Sequence, residues 1–142
     1  MSSGDPDLAC NIDRKGIARR QRAALLSRGG LVFLACANAV NARVNAAHRA
    51  GDLGWGTLSL WAMIVLSSIS SFIIQAQVDE KTCVRHGLMQ TQEEGPESTK
   101  AVRINDATKA SLLYWKSVRM ISRGTVLGMG LGLAIIAAPY TL

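Results

Sequence analysis

The fold class is decided by residues 53–74, LGWGTLSLWAMIVLSSISSFII, a run of 22 residues without a charged side chain. As a helix rising about 1.5 Å per residue, this run would extend for about 33 Å, slightly more than the roughly 30 Å hydrocarbon core of a bilayer. Soluble helices are rarely apolar on all sides over such a length. The run therefore predicts a transmembrane helix rather than the central helix of a soluble bundle.

A second uncharged run, residues 124–142, GTVLGMGLGLAIIAAPYTL, closes the chain. As a helix its 19 residues would extend for about 28 Å, which is just sufficient for a span. A chain of 142 residues has room for a few membrane helices or for one soluble domain, but not for both at full size. The rest of the chain is therefore expected to consist of tails, interfacial helices and linkers.

The basic residues predict how many times the chain crosses. Six precede the first apolar stretch: Arg14, Lys15, Arg19, Arg20, Arg22 and Arg28. Eight lie between the two uncharged runs: Lys81, Arg85, Lys100, Arg103, Lys109, Lys116, Arg119 and Arg123. Basic residues near spans stay on the cytoplasmic or matrix side, so both groups should share a side, which requires an even number of crossings between them. Residues 29–48 are the only candidate for the second crossing, and we expect three spans.

Residues 38–51, NAVNARVNAAHRAG, look too polar to cross a membrane. Asn38, Asn41, Asn45 and His48 are spaced three, four and three apart, however, so on a helix they form one polar stripe. Alanine and valine fill much of the rest, as a span requires if its polar face is turned onto other helices. We expect the stripe to be a contact face that hydrogen-bonds across helices. The alternative is a two-span hairpin preceded by an amphipathic surface helix.

These patterns predict an all-α integral membrane protein with three transmembrane helices, a basic juxtamembrane helix and an interfacial amphipathic helix. The expected segments are a polar tail and basic juxtamembrane helix at 1–28, spans at 29–48, 53–74 and 124–142, and an inner-side segment at 75–123. Within that segment we expect the second helix to continue to His86 and end at Gly87. Asn105 or Asp106 should then cap a helix that lies along the membrane surface before it turns into the last span.

Small residues predict where the spans pack. Gly124, Gly128 and Gly132 recur at every fourth position of the last run, and Ser67 and Ser71 share that spacing in the middle run. Small side chains let two helix backbones approach closely, and such packing drives association in lipid. We expect the glycine face to dock on a neighbouring helix.

The basic cluster formed by the six residues from Arg14 to Arg28 predicts a site for anionic lipids or for an acidic protein partner, because it adjoins a span. This explains the net charge of +6 without nucleic acid. The three cysteines have no CxxC spacing and only two histidines are present, so we expect no disulfide framework, metal or cofactor. Basic neighbours would favour the thiolate of Cys83, which makes it a candidate reactive thiol, although an ordinary thiol is the preferred interpretation.

The function predicted from the sequence is that of a non-catalytic accessory or assembly subunit of a larger membrane protein complex. Energy-converting membranes (respiratory, photosynthetic or ATP synthase) are the expected setting, by analogy alone. The chain would lie in the mitochondrial inner membrane or the bacterial plasma membrane, with its N-terminus on the matrix or cytoplasmic side. Two alternatives stay open: a small cofactor-binding or redox membrane protein that uses His48 or Cys83, and a small channel or carrier lined by Asn38, Asn41 and Asn45.

Overall fold

The computed structural model describes residues 14–48, 54–93 and 101–141. Its helices are α1 (Arg14–His48), α2 (Trp55–Asp79), α3 (Val84–Leu88) and α4 (Ala107–Thr141). Of these, α1, α2 and α4 contain stretches long and apolar enough to cross a membrane, which confirms the prediction of a mostly helical chain with three candidate spans. Residues 1–13 of the predicted tail and juxtamembrane segment and residues 94–100 of the predicted inner-side segment lie outside the described residues.

Two short strands correct the all-α prediction. Strand β1 (Thr91–Glu93) pairs antiparallel with β2 (Ala101–Arg103), with Gln92 opposite Val102. The chain enters β1 through Gln90, which adopts a left-handed φ of 53°. The Ile104 N–H then donates to the Gln90 carbonyl at 2.9 Å and extends the pairing by one bond. Strands of three residues leave almost no alternating pattern in the sequence, so this pair was not predicted.

The two longest helices, α1 and α4, are each continuous through a boundary between two predicted segments. Helix α1 joins the predicted juxtamembrane helix to the predicted first span, and the Gly29–Gly30 pair does not end it. Helix α4 passes through Gly124 without a break, so the predicted turn between an interfacial helix and the last span is wrong. A glycine inside a helix costs only about 1 kcal/mol relative to alanine, which the flanking residues can offset.

Helix α2 ends earlier than predicted. It stops at Asp79, and the next residues form a turn in which Lys81 has a left-handed φ of 47°. The chain resumes as α3, in which Gly87 is an interior, buried residue rather than the expected C-terminal cap. A Cβ at Gly87 would overlap the Ser117 side chain of α4, so glycine is required here by close packing.

The predicted cap of α4 is confirmed at Asp106. Its Oδ1 accepts hydrogen bonds from the Thr108 N–H at 2.8 Å and the Lys109 N–H at 3.2 Å. A side-chain oxygen at this position satisfies N–H groups that have no partner within the helix.

The chain divides into two compact units. Residues 1–23 and 73–123 form the unit that we call the basic unit, since it contains most of the Lys and Arg residues. Among its described residues, Ile104, Ala110 and Leu113 form a small buried cluster. Residues 24–72 and 124–142 form the other unit, which we call the apolar unit.

The apolar unit has polar groups inside and large apolar side chains outside. Asn38 and Ser68 are completely buried, whereas Leu26 and Phe33 are 77% and 73% exposed. In water the hydrophobic effect favours the opposite distribution, and exposed apolar surface of this extent is typical of surfaces that contact lipid or protein. The distribution suits a helical unit whose outer surface meets an apolar medium.

Candidate functional site: a polar network among three helices

The centre of the polar stripe is Asn38, whose side chain is 0% exposed within the apolar unit. Its Oδ1 accepts a hydrogen bond from the Trp61 Nε1–H of α2 at 3.0 Å. Its Nδ2 group donates to two α4 carbonyls, Ile135 O at 3.1 Å and Ile136 O at 3.4 Å. One amide side chain on α1 therefore hydrogen-bonds both of the other long helices.

The α4 end of this network contains Pro139, which lies within the last turns of the helix. Proline has no N–H, so the carbonyl four residues earlier, that of Ile135, lacks its normal partner within the helix. Asn38 donates to this carbonyl. In an apolar medium an unpaired carbonyl is costly, and a neighbouring polar side chain is the usual means of satisfying it.

The other two asparagines of the stripe hydrogen-bond the same hydroxyl group. Asn41 and Asn45 donate through Nδ2 to Thr57 Oγ1 of α2, at 3.1 Å and 3.3 Å. Thr57 is buried, as this role requires. The side chain of His48, the fourth predicted member, lies outside the described residues. The structure therefore brings together the three asparagines and points their amides at neighbouring helices of the same chain.

The predicted glycine face also meets a helix of the same chain. Gly124, Gly128 and Gly132 are buried, whereas Gly130 is exposed. A Cβ at Gly128 would overlap the Ile69 backbone of α2, and a Cβ at Gly132 would lie 3.0 Å from the Val65 Cα. These backbones thus approach each other more closely than side chains would permit.

The structure places one of the two predicted serines of α2 on the buried face of the helix. Ser71 is buried, but Ser67 is only half-buried. Ser68 is completely buried, and its Oγ would be 3.5 Å from a Cβ at Gly132. Because the Ser68 hydroxyl donates to the Ile64 carbonyl at 2.8 Å, its burial leaves no unpaired donor.

The predicted lipid-binding cluster is only partly described. The side chains of Arg14 and Lys15 lie outside the described residues, while Arg19, Arg22 and Arg28 are exposed. Arg20 is half-buried in the basic unit, where it donates to Gln77 Oε1 at 3.4 Å and to the Gly16 carbonyl at 3.1 Å. These contacts give Arg20 a role in joining α1 to α2.

The candidate thiol Cys83 is buried, with 7% of its surface exposed. A nucleophilic or redox-sensing thiol needs access to its substrate or oxidant, so this burial favours a structural role. Within the described part of the chain, no three His, Cys, Asp or Glu side chains are grouped so that they could hold a metal ion.

Sequence reasoning missed the partners of the stripe, namely Trp61, Thr57 and the Ile135 carbonyl. Pro139 was the available signal, because a proline inside a span frees the carbonyl four residues earlier and so requires a donor from another helix.

A comparison of the chain with models of known protein families, with curated proteins and with solved structures found no match. Its function is therefore inferred from the geometry of its own residues.

Proposed function

We propose that the chain is a non-catalytic accessory or assembly subunit that binds a larger membrane protein complex through the outer surface of its apolar unit. The network residues described above form hydrogen bonds within the chain, and large apolar side chains cover the exterior. A surface of this kind suits contact with other membrane helices and with lipid.

The observation that carries the proposal is a groove between α1 and α4. It has a volume of about 520 Å³, and small side chains line it, with an arginine. Its lining residues are Ala35, Ala39, Arg43, Ile135, Ala138 and Pro139. Three of these six residues are alanines, and a groove between two helices that small side chains line accepts the ridge of a third helix, because backbones can approach closely there.

Arg43 gives the groove chemical selectivity. It is exposed, and among the described residues it forms no ion pair or hydrogen bond with the rest of the chain. A cation within an apolar helix is costly in lipid and is stabilised by an acidic partner or by contact with the headgroups. We infer that a carboxylate of the partner complex binds Arg43.

We also propose in which membrane the chain lies and which side of that membrane its basic unit faces. The basic unit would face the matrix or cytoplasm, because basic residues near spans are enriched on that side. The mitochondrial inner membrane or the bacterial plasma membrane, with a respiratory, photosynthetic or ATP synthase complex as partner, is the proposed setting by analogy.

Solubilisation of native membranes in mild detergent, followed by native electrophoresis, tests the proposal. The chain should migrate with a larger assembly, and Arg43→Gln or Ala138→Leu should release it, because the first removes the charge and the second fills the groove. Arg22→Gln and Ala137→Leu are matched controls, since both positions are exposed and neither lines the groove. A chain that migrates alone from native membranes contradicts the proposal, as does equal retention of all four variants.

A further inference from the structure

A second groove lies within the basic unit, between the end of α2 and α4. It has a volume of about 310 Å³. Leu112 and Met120 contribute apolar surface. The other residues that line the groove are aromatic, charged or small: Ala76, Glu80, Trp115, Lys116, Arg119 and Arg123. Trp115, Arg119 and Arg123 are four residues apart, so they occupy one face of α4.

The groove has an excess of positive charge. Lys116 Nζ lies 3.2 Å from Glu80 Oε2 and also donates to the Glu80 carbonyl at 2.9 Å, so these two side chains neutralise each other. Arg119 and Arg123 are exposed, and within the described residues neither forms an ion pair or hydrogen bond. Two guanidinium groups one helical turn apart, each with a planar set of donors, match the oxygens of a phosphate group.

The position of the groove along the chain suits a lipid rather than a soluble phosphate. Arg123 directly precedes the uncharged run of residues 124–142, and Ala76 follows the end of the uncharged run of residues 53–74. Residues at the ends of spanning helices lie at headgroup depth. Trp115 is 65% exposed, and tryptophan is enriched at that depth.

We propose that this groove binds the headgroup of an anionic phospholipid, with Arg119 and Arg123 donating to the phosphate oxygens and with Leu112 and Met120 against the glycerol and upper acyl chain. The inference requires membrane insertion but not a partner complex. The charged pair Lys116–Glu80 fixes one wall of the groove without adding net charge.

Native mass spectrometry of the full chain, released from nanodiscs that contain equal amounts of phosphatidylglycerol and phosphatidylcholine, tests the proposal. The wild type should retain phosphatidylglycerol preferentially, and Arg119→Gln/Arg123→Gln should reduce that retention by about tenfold or more, since each basic residue near a membrane contributes about a fivefold preference for anionic lipid. Arg85→Gln/Arg103→Gln is the matched control, because it removes the same charge from exposed positions of the basic unit outside the groove. Circular dichroism should show equal helix content in all variants.

Three outcomes would overturn this site. Equal loss in both double variants would indicate general attraction by charge, and equal retention of the two lipids would remove the selectivity. Displacement of phosphatidylglycerol by millimolar inorganic phosphate would instead indicate a site for a soluble anion.

Discussion

Asn38 combines in one side chain the two features that a polar residue needs inside a helix that could span a membrane: it is fully buried, and both of its polar atoms are hydrogen-bonded. The same contacts satisfy a carbonyl that Pro139 leaves without its helical partner. Asn38 and Pro139 are therefore coupled, although they are 101 positions apart in the chain.

Asn38→Leu should lower the free energy of unfolding by about 1 kcal/mol or more, because the Ile135 carbonyl and the Trp61 Nε1–H lose a partner. In a Pro139→Ala background the cost should be smaller, since the alanine N–H can bond to the Ile135 carbonyl. Titration with denaturing detergent in mixed micelles, with helix content as the signal, measures both costs. An identical cost in the two backgrounds would show that the proline and the asparagine are not coupled.

At the level of single residues, the sequence predicted which side chains form the polar stripe but not what they bind. The three-four spacing of Asn38, Asn41 and Asn45 places them on one face of any helix. Their partners, Trp61 and Thr57, belong to a helix whose rotation depends on packing contacts distant in the chain. Ser68 shows the same limit, because the four-residue spacing of Ser67 and Ser71 predicted Ser67 on the buried face, where the structure has Ser68 beside Ser71.

Helix α4 shows at the level of an element how glycine position determines packing. Its buried glycines, Gly124, Gly128 and Gly132, lie on one face, and Gly130 lies on the exposed side. A Cβ would overlap backbone at Gly128, approach the Val65 Cα at Gly132 and meet nothing within 4 Å at Gly130. Substitution by alanine should therefore disturb the packing most at Gly128, less at Gly132 and not at all at Gly130.

Substitution by alanine should destabilise the chain most at Gly128, by about 1–3 kcal/mol, because two backbones must separate. The effect should be smaller at Gly132, where a few tenths of an ångström of movement suffices. Gly130→Ala should leave stability unchanged or raise it by up to about 1 kcal/mol, since alanine favours the helix. The detergent titration described above ranks the variants, and a loss at Gly130 equal to that at Gly128 would contradict the packing.

Element boundaries were predictable only where a local signal marks them. The start of α4 is predictable because Asn105 and Asp106, either of which can cap a helix, precede a helical pattern. The end of α2 at Asp79 depends on a turn through Lys81, a residue with no preference for left-handed backbone. The continuity of α4 through Gly124 is not predictable in this way, because the change from charged to uncharged residues at this point is compatible with either a straight helix or a change of direction.

At the scale of the whole molecule, charge and hydrophobicity separate along the chain. Most basic residues belong to the basic unit, and the apolar unit contains Arg28, Arg43 and Arg49 as its only basic residues in the sequence. The sequence predicted this separation directly, because composition requires no knowledge of packing. The lipid groove of Arg119 and Arg123 could not be predicted, since the α2 wall opposite them depends on the tertiary arrangement.

The three-span topology is the central claim, because the subunit and lipid proposals both assume it. The direct measurement is cysteine labelling in sealed membrane vesicles of both orientations, with Cys10, Cys36 and Cys83 replaced by serine. Single cysteines would replace Ala18, Gly54 and Asn105, which are exposed positions near the ends of the candidate spans. We predict that an impermeant maleimide labels positions 18 and 105 from one side and position 54 from the other, whereas labelling of positions 18 and 54 from the same side would contradict the account.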